Sequence, residues 1–182
     1  ESGYETLRVD NDQRREFIFS HISDEYDTLL DIGSAEGYFT SAAGKRGLTA
    51  HGIELNVERY EQAVKANKEN PDLTFENKLI TPENINNTEE YDVILLLTVF
   101  HHWVPEFGYE DSCDMLRLLG DKSKRLVFEP PGNKFIYRGN LIYPDESEEK
   151  YREFLLDLFD HQIAIADVEM FEYMDKKRRR DP

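Results

Sequence analysis

Three short stretches of this chain combine residue types and spacings suited to chemistry. The first is "LLDIGSAEGYF", where Asp31 closes an apolar run and Gly33 and Gly37 follow, with Ser34, Ala35 and Glu36 between them. Two glycines in one turn let backbone approach a ligand closely, and the helix that follows presents unpaired N–H groups to it. Pyrophosphate turns carry G-x-G-x-x-G. Here the spacing is G-x-x-x-G, and the acids Asp31 and Glu36 would repel a phosphate. A ligand with a positive amine and a sulfonium suits them better. Without a ligand, the same turn reads as a tight strand-to-helix connection.

The second stretch, "TAHGIELN", ends a strand-like run on Glu54. An acid at such a position accepts both hydroxyls of a ribose. A simple capping role for it is less apt, because Asn56 is better placed to cap the helix that follows. The third stretch is "YDVILLLTVFHHW", in which a continuous apolar run leads through Thr98 into His101, His102 and Trp103. Neighbouring side chains on an extended segment point to opposite sides, so one of the two histidines is expected to face the pocket. Histidine titrates near neutrality and can take a proton from an attacking hydroxyl. The alternative for each is a loop histidine bonded to backbone. Phe100, Trp103 and Tyr38 either wall the site or pack the core. Neither a cysteine nor a second histidine pair is spaced for zinc, and no metal is expected.

The elements that must position these residues alternate short apolar runs with amphipathic segments, as successive strand–helix units do. Strands are expected at Thr28–Ile32, Thr49–Glu54, 73–76, 92–98, 124–129 and, longer, near 162–171. The run "YDVILLL" is apolar on consecutive residues, which implies a strand covered on both faces. Helices are expected at 12–22, 57–70, 110–119 (stopped by Gly120) and 145–159. The sum is an α/β chain, a Rossmann-like open and mostly parallel sheet of six or seven strands with helices on both faces. Such sheets bind ligands beyond the carboxyl ends of their strands.

At 182 residues, with 39% hydrophobic and 12% aromatic side chains, the chain can bury one core and is read as one domain. Residues 1–24 would be an N-terminal helical segment, 25–130 the ligand-binding core and 131–182 the C-terminal part of the sheet. The net charge of −16 counts against a nucleic-acid track, despite the basic run Lys176 to Arg180. No apolar run is long enough to cross a bilayer. With one cysteine there is no internal disulfide, which suits a reducing, cytoplasmic setting. The chain begins at Glu1 and no signal segment follows, so an excised piece of a longer protein is expected.

Together, "LLDIGSAEGYF", "GIELN" and "YDVILLLTVFHHW" resemble the class I S-adenosylmethionine-dependent methyltransferases, over roughly Tyr26 to Glu129 and in that family's motif order. The resemblance implies S-adenosyl-L-methionine as cofactor. It places Asp31, Gly33, Ser34, Ala35, Glu36, Gly37, Tyr38 and Phe39 at the methionine end, Glu54 and Leu55 at the ribose, and Thr98 with His101 and His102 beneath the reacting methyl group. The adenine region, residues 77–84, lacks the family's usual acid. The N/D-P-P-Y/F of amino-methylating enzymes is also absent, and "EPPG" from Glu129 stands one strand later, so an oxygen acceptor is expected. "GYF", "VFHH" and the basic-proline ending further resemble the methyltransferase half of bifunctional methyltransferase–kinases that cap bacterial O-antigen chains. That implies a small-molecule or glycan acceptor with a hydroxyl or phosphate, and a fused or associated second domain. It also implies a last strand either missing or supplied from before residue 1. Three readings compete: a NAD-dependent oxidoreductase on the same sheet, a non-catalytic S-adenosylmethionine-binding module, and an RNA methyltransferase using the basic tail.

Overall fold

The computed structural model describes residues 10–130, 136–137, 140–141 and 148–169. The apolar runs form a five-stranded parallel sheet: β1 (Thr28–Ile32), β2 (Thr49–Glu54), β3 (Leu73–Asn77), β4 (Tyr91–Leu97) and β5 (Ser123–Glu129), in spatial order β3-β2-β1-β4-β5. The chain builds outward through β2 and β3, then returns to the other side of β1 with β4. The site lies at that reversal, where crevices open in sheets of this topology. Register pairs Asp31 with Gly52 on one side and with Leu95 on the other.

β4 bears out its continuous apolar sequence. Val93, Ile94, Leu95 and Leu96 are all completely buried. Val93, Leu95 and Leu97 pack toward one face, with Ile18 and Phe19 of α1 (Asn11–Ser20) and Phe39 and Ala43 of α2 (Tyr38–Gly44). Ile94 and Leu96 pack toward the other, with Phe100, Trp103 and Val104 of α4 (Phe100–Phe107) and Met115, Leu116 and Leu119 of α5 (Tyr109–Asp121). α3 (Val57–Asn67) lies along β2 and β3 and is capped by Asn56, whose side chain accepts from the Arg59 N–H at 3.0 Å, as the sequence implies. α6 (Glu148–Leu158) adds Tyr151 and Leu158 to the second core.

Two expectations fail. Gly120 does not stop α5 but lies inside it, packed so tightly that a Cβ there would meet the Phe159 ring at 2.6 Å. Residues 162–169, expected to open a long strand, carry no strand. Residues 170–171 of that expected strand, like the basic tail at 176–180, lie outside the described residues. Between β3 and β4 the chain makes a single 3₁₀ turn (Ile85–Asn87). Two short antiparallel strands, β6 (Ile136–Tyr137) and β7 (Asn140–Leu141), form a separate ribbon.

Candidate functional site

The turn after β1 is shaped by left-handed backbone. Gly33 and Gly37 have φ of +78° and +80°, and Ala35 joins them at +49°. Left-handed φ costs a side-chain-bearing residue energy, which explains the two glycines. Gly33 also lies hard against the other half of the sheet, since a Cβ there would meet Val99 Cγ2 at 2.5 Å. Both Gly33 N–H and Ser34 N–H donate to Ile53 O (2.8 and 3.0 Å), tying the turn to β2.

Glu54, at the tip of β2, completes that tie. Its Oε2 accepts from Ala35 N–H at 2.8 Å and its Oε1 from Asn56 N–H at 2.7 Å. The carboxylate is buried, and each oxygen keeps a second lone pair for a ligand hydroxyl. Asn77, which sequence reasoning did not single out, donates from Nδ2 to the carbonyls of Glu54 and Leu55 and fixes the tip of β2 from β3. Leu55 and Leu79 stand exposed beside it, at 59% and 38%, an apolar surface of the kind a nucleobase covers.

Asp31 is almost wholly buried, and Thr40 Oγ1 of α2 donates to its Oδ2 at 2.7 Å. Burial pushes its carboxyl up from 3.8 to about 6, and the Glu54 charge adds to the rise; the Thr40 bond and the Arg14 guanidinium oppose it. A cationic group placed beside Asp31 would restore the ionised form. Ser34 Oγ is likewise buried and has no hydrogen-bond partner among the described residues. An acid held near its titration point and an orphaned hydroxyl are what an amine-bearing ligand would satisfy. The residues present therefore fit the cofactor that the motif order implies.

Glu36 stands inside the turn. It is exposed, pairs with Arg59 Nε of α3 at 3.4 Å and so serves the flank of the turn. Tyr38 sits at the rim, its hydroxyl donating to Asp12 Oδ1 at 2.7 Å and accepting from Arg15 at 3.0 Å. A cleft of about 520 Å³ opens on the outer side of α2, lined by Arg15, Tyr38, Ser41, Lys45 and Asn67. It reaches Glu36 and Gly37 but neither histidine.

The histidines are not on an extended segment. Thr98 takes φ +57° as β4 ends, its N–H still donating to Glu129 O at 2.8 Å, and the chain enters α4 directly. His101 and His102 therefore occupy the first turn of a helix. Their rings lie side by side, 3.9 Å between centroids, instead of facing opposite ways. His101 is held neutral: burial, with His102 beside it, lowers its imidazole from 6.5 to about 4. Phe100 and Trp103 belong to the core, 1% and 3% exposed, with Phe100 edge-on to Phe128 at 5.7 Å; they do not wall the site.

Over this edge lies α1, which carries Arg14. Arg14 is only 5% exposed. Its guanidinium forks onto both carboxylate oxygens of Glu129 at the tip of β5, donates to Asn11 Oδ1 at 2.7 Å and stacks 4.9 Å over Phe39. No local pattern marks it, because its main partner is on the far strand.

Comparison with known proteins agrees with this geometry. The family model described as a methyltransferase domain matches residues 30–118, from β1 through most of α5. An Escherichia coli relative, the O-antigen chain terminator bifunctional methyltransferase/kinase WbdD, is 26% identical over 141 residues, which is 70% of this chain and 20% of that protein. The chain thus spans about a fifth of that relative. The crystal structure of monomeric WbdD matches with a TM-score of 0.65 at 25% identity, covering 78% of this chain and 36% of that one. The magnesium protoporphyrin IX methyltransferase ChlM of Synechocystis PCC 6803, solved with bound S-adenosylmethionine, shares the fold with a TM-score of 0.55 at 16% identity, over 81% of this chain and 65% of its own. Among the described residues no helix is long and apolar enough to cross a membrane, and no group of three or more candidate ligands could hold a metal ion. Residues 30–118 thus match a methyltransferase domain, and both the glycine turn and the acid at the tip of β2 lie within the matched stretch.

Proposed function

We propose that this domain transfers the methyl group to an oxygen of a small molecule or glycan, either a hydroxyl or a phosphate. The observation that carries this reading is the position of His101 and His102 in the first turn of α4. They follow directly on Thr98, at the same strand edge as the Gly33–Gly37 turn. The similarity to a chain-terminating methyltransferase/kinase supports a glycan and a second domain as partners.

In this reading Asp31 and the turn at Gly33, Ser34, Ala35, Gly37, Tyr38 and Phe39 hold the amino-acid end of the cofactor. Glu54 and Leu55 hold its sugar and base, and Thr98 lies beneath its reacting end. S-adenosyl-L-methionine supplies a methyl group already activated by the positive sulfur. The protein's task is alignment of the acceptor oxygen with that methyl, which is worth ~7–11 kcal/mol in good cases. A neutral histidine at the edge accepts the proton of a hydroxyl acceptor, worth about 10²–10⁴ in rate. With a phosphate acceptor the same side chain orients the anion and no base is required.

The test is direct. Calorimetry with S-adenosylmethionine, its demethylated product and NAD should show micromolar-range binding of the first two and none of NAD. Methyl transfer is then assayed with oligosaccharides ending in a free hydroxyl or a phosphate monoester. Cofactor binding with every acceptor left unmethylated would favour a non-catalytic module instead.

A further inference from the structure

We propose that Arg14 is a positioning residue: by forking onto Glu129 at the tip of β5 and stacking on Phe39 of α2 it holds α1 across the carboxyl edge, above the cofactor's amino-acid end. The inference rests on the site reading given above, and it concerns residues of this chain alone. Three facts converge on it. Arg14 is a buried cation on a helix whose remaining core contacts, Ile18 and Phe19, lie toward its other end. Its fork binds Glu129, which closes β5, and Glu129 O in turn receives Thr98 N–H from the tip of β4. It stacks 4.9 Å over the Phe39 ring of α2, and its charge opposes the rise of the Asp31 carboxyl within β1. One guanidinium therefore ties α1 both to the strand beside the one that delivers Thr98 and the histidines and to the helix that follows the glycine turn. An arginine fork is rigid and bidentate, so it sets orientation as well as charge.

The groups facing Asp31 are Arg14 from α1, the Thr40 hydroxyl from α2 and Glu54 from β2. Loss of Arg14 removes the cation from that set and leaves Glu54. Asp31 then stays protonated to a higher pH, and a ligand needing its ionised form loses affinity first at the acid end. A pair that merely glued α1 to the sheet would weaken binding equally at every pH.

The experiment measures affinity for S-adenosylhomocysteine from pH 5 to 8, together with amide exchange of residues 11–20 without ligand. Arg14→Gln should weaken binding at least tenfold at pH 6 and move the midpoint of the pH profile upward. Glu129→Gln should raise α1 exchange without that upward move, since the cation remains. Arg14→Lys keeps the charge but loses the fork, and serves if Arg14→Gln does not fold; it should show the parent midpoint with weaker affinity and faster α1 exchange. An unchanged pH profile and affinity in Arg14→Gln, with only the thermal midpoint lowered, would overturn the proposal. So would Arg14→Lys with parent exchange and affinity. Failure of the parent protein to bind S-adenosylhomocysteine would instead sink the site reading, while the exchange of α1, which needs no ligand, still decides whether the bridge holds the helix.

Discussion

Glu54 reaches across from β2 to take the N–H of Ala35, so the acid at one strand tip closes the glycine turn of its neighbour. Sequence reasoning gives Glu54 a single duty, the ribose. The structure gives it a second, because both of its oxygens already accept backbone N–H groups.

Replacement of Glu54 by Ala should therefore cost stability as well as affinity. It leaves the N–H groups of Ala35 and Asn56 without their acceptor; Asn56 is exposed and can turn to water, so the half-buried Ala35 N–H carries most of the cost, about 1–3 kcal/mol. Chemical denaturation should show a loss in that range, and S-adenosylmethionine affinity should fall at least tenfold. Intact affinity in the variant would mean that the sugar lies elsewhere.

Gly33 admits a separable test. Gly33→Ala suffers both from φ +78° and from a contact of 2.5 Å with Val99 Cγ2. The backbone part alone is worth about 1–2 kcal/mol. Combining it with Val99→Ala should recover the steric part only, a non-additivity measurable by a double-mutant cycle. Gly33→Val should abolish cofactor binding.

Asp31 is predicted to work against the stability of its own fold. Its folded carboxyl is raised from 3.8 to about 6. Stabilisation by the protonated form is full below 3.8 and is lost as pH rises through 6, so near pH 8 the ionised group costs about 3 kcal/mol. Asp31→Asn should raise the unfolding temperature at pH 8, have little effect at pH 4, and bind cofactor poorly. Equal unfolding temperatures for variant and parent at pH 8 would remove this account.

For His101 the sign is opposite. Its imidazole is lowered from 6.5 to about 4, so its contribution to stability is present above 6.5 and declines as pH falls through 4. Between pH 7 and 5 it stays neutral. His101→Gln and His102→Gln, made separately, should identify the residue that touches the proton: that variant loses about 10²–10⁴ in turnover on a hydroxyl acceptor and far less on a phosphate. Unaltered turnover in both would take histidine out of the mechanism.

The strands were legible because burial writes itself as unbroken apolar sequence, and β1 and β2 fall on the expected residues. The turn was legible because only glycine tolerates its backbone. α4 was not. Its apolar residues continue those of β4 without a break, and the residue that turns strand into helix is Thr98, a β-branched side chain in a left-handed conformation no propensity favours. The partner of Arg14 was illegible for another reason. A charge reads as solvent-facing unless its partner is nearby in sequence, and Glu129 is 115 residues away.

The return of the chain from β3 to β4 also governs when this pocket comes into being. Residues up to the 3₁₀ turn supply Asp31, the glycines and Glu54, but one side of β1 lies bare until β4 is laid against it. The opposite wall, from Val99 to His102, belongs to that later segment, and so does the Glu129 that anchors α1. A nascent chain passing through this halfway stage has half a binding site, and long-range parallel pairing is the slow step of such folds. Cofactor can thus reward only the finished domain, and will stabilise it without speeding its assembly.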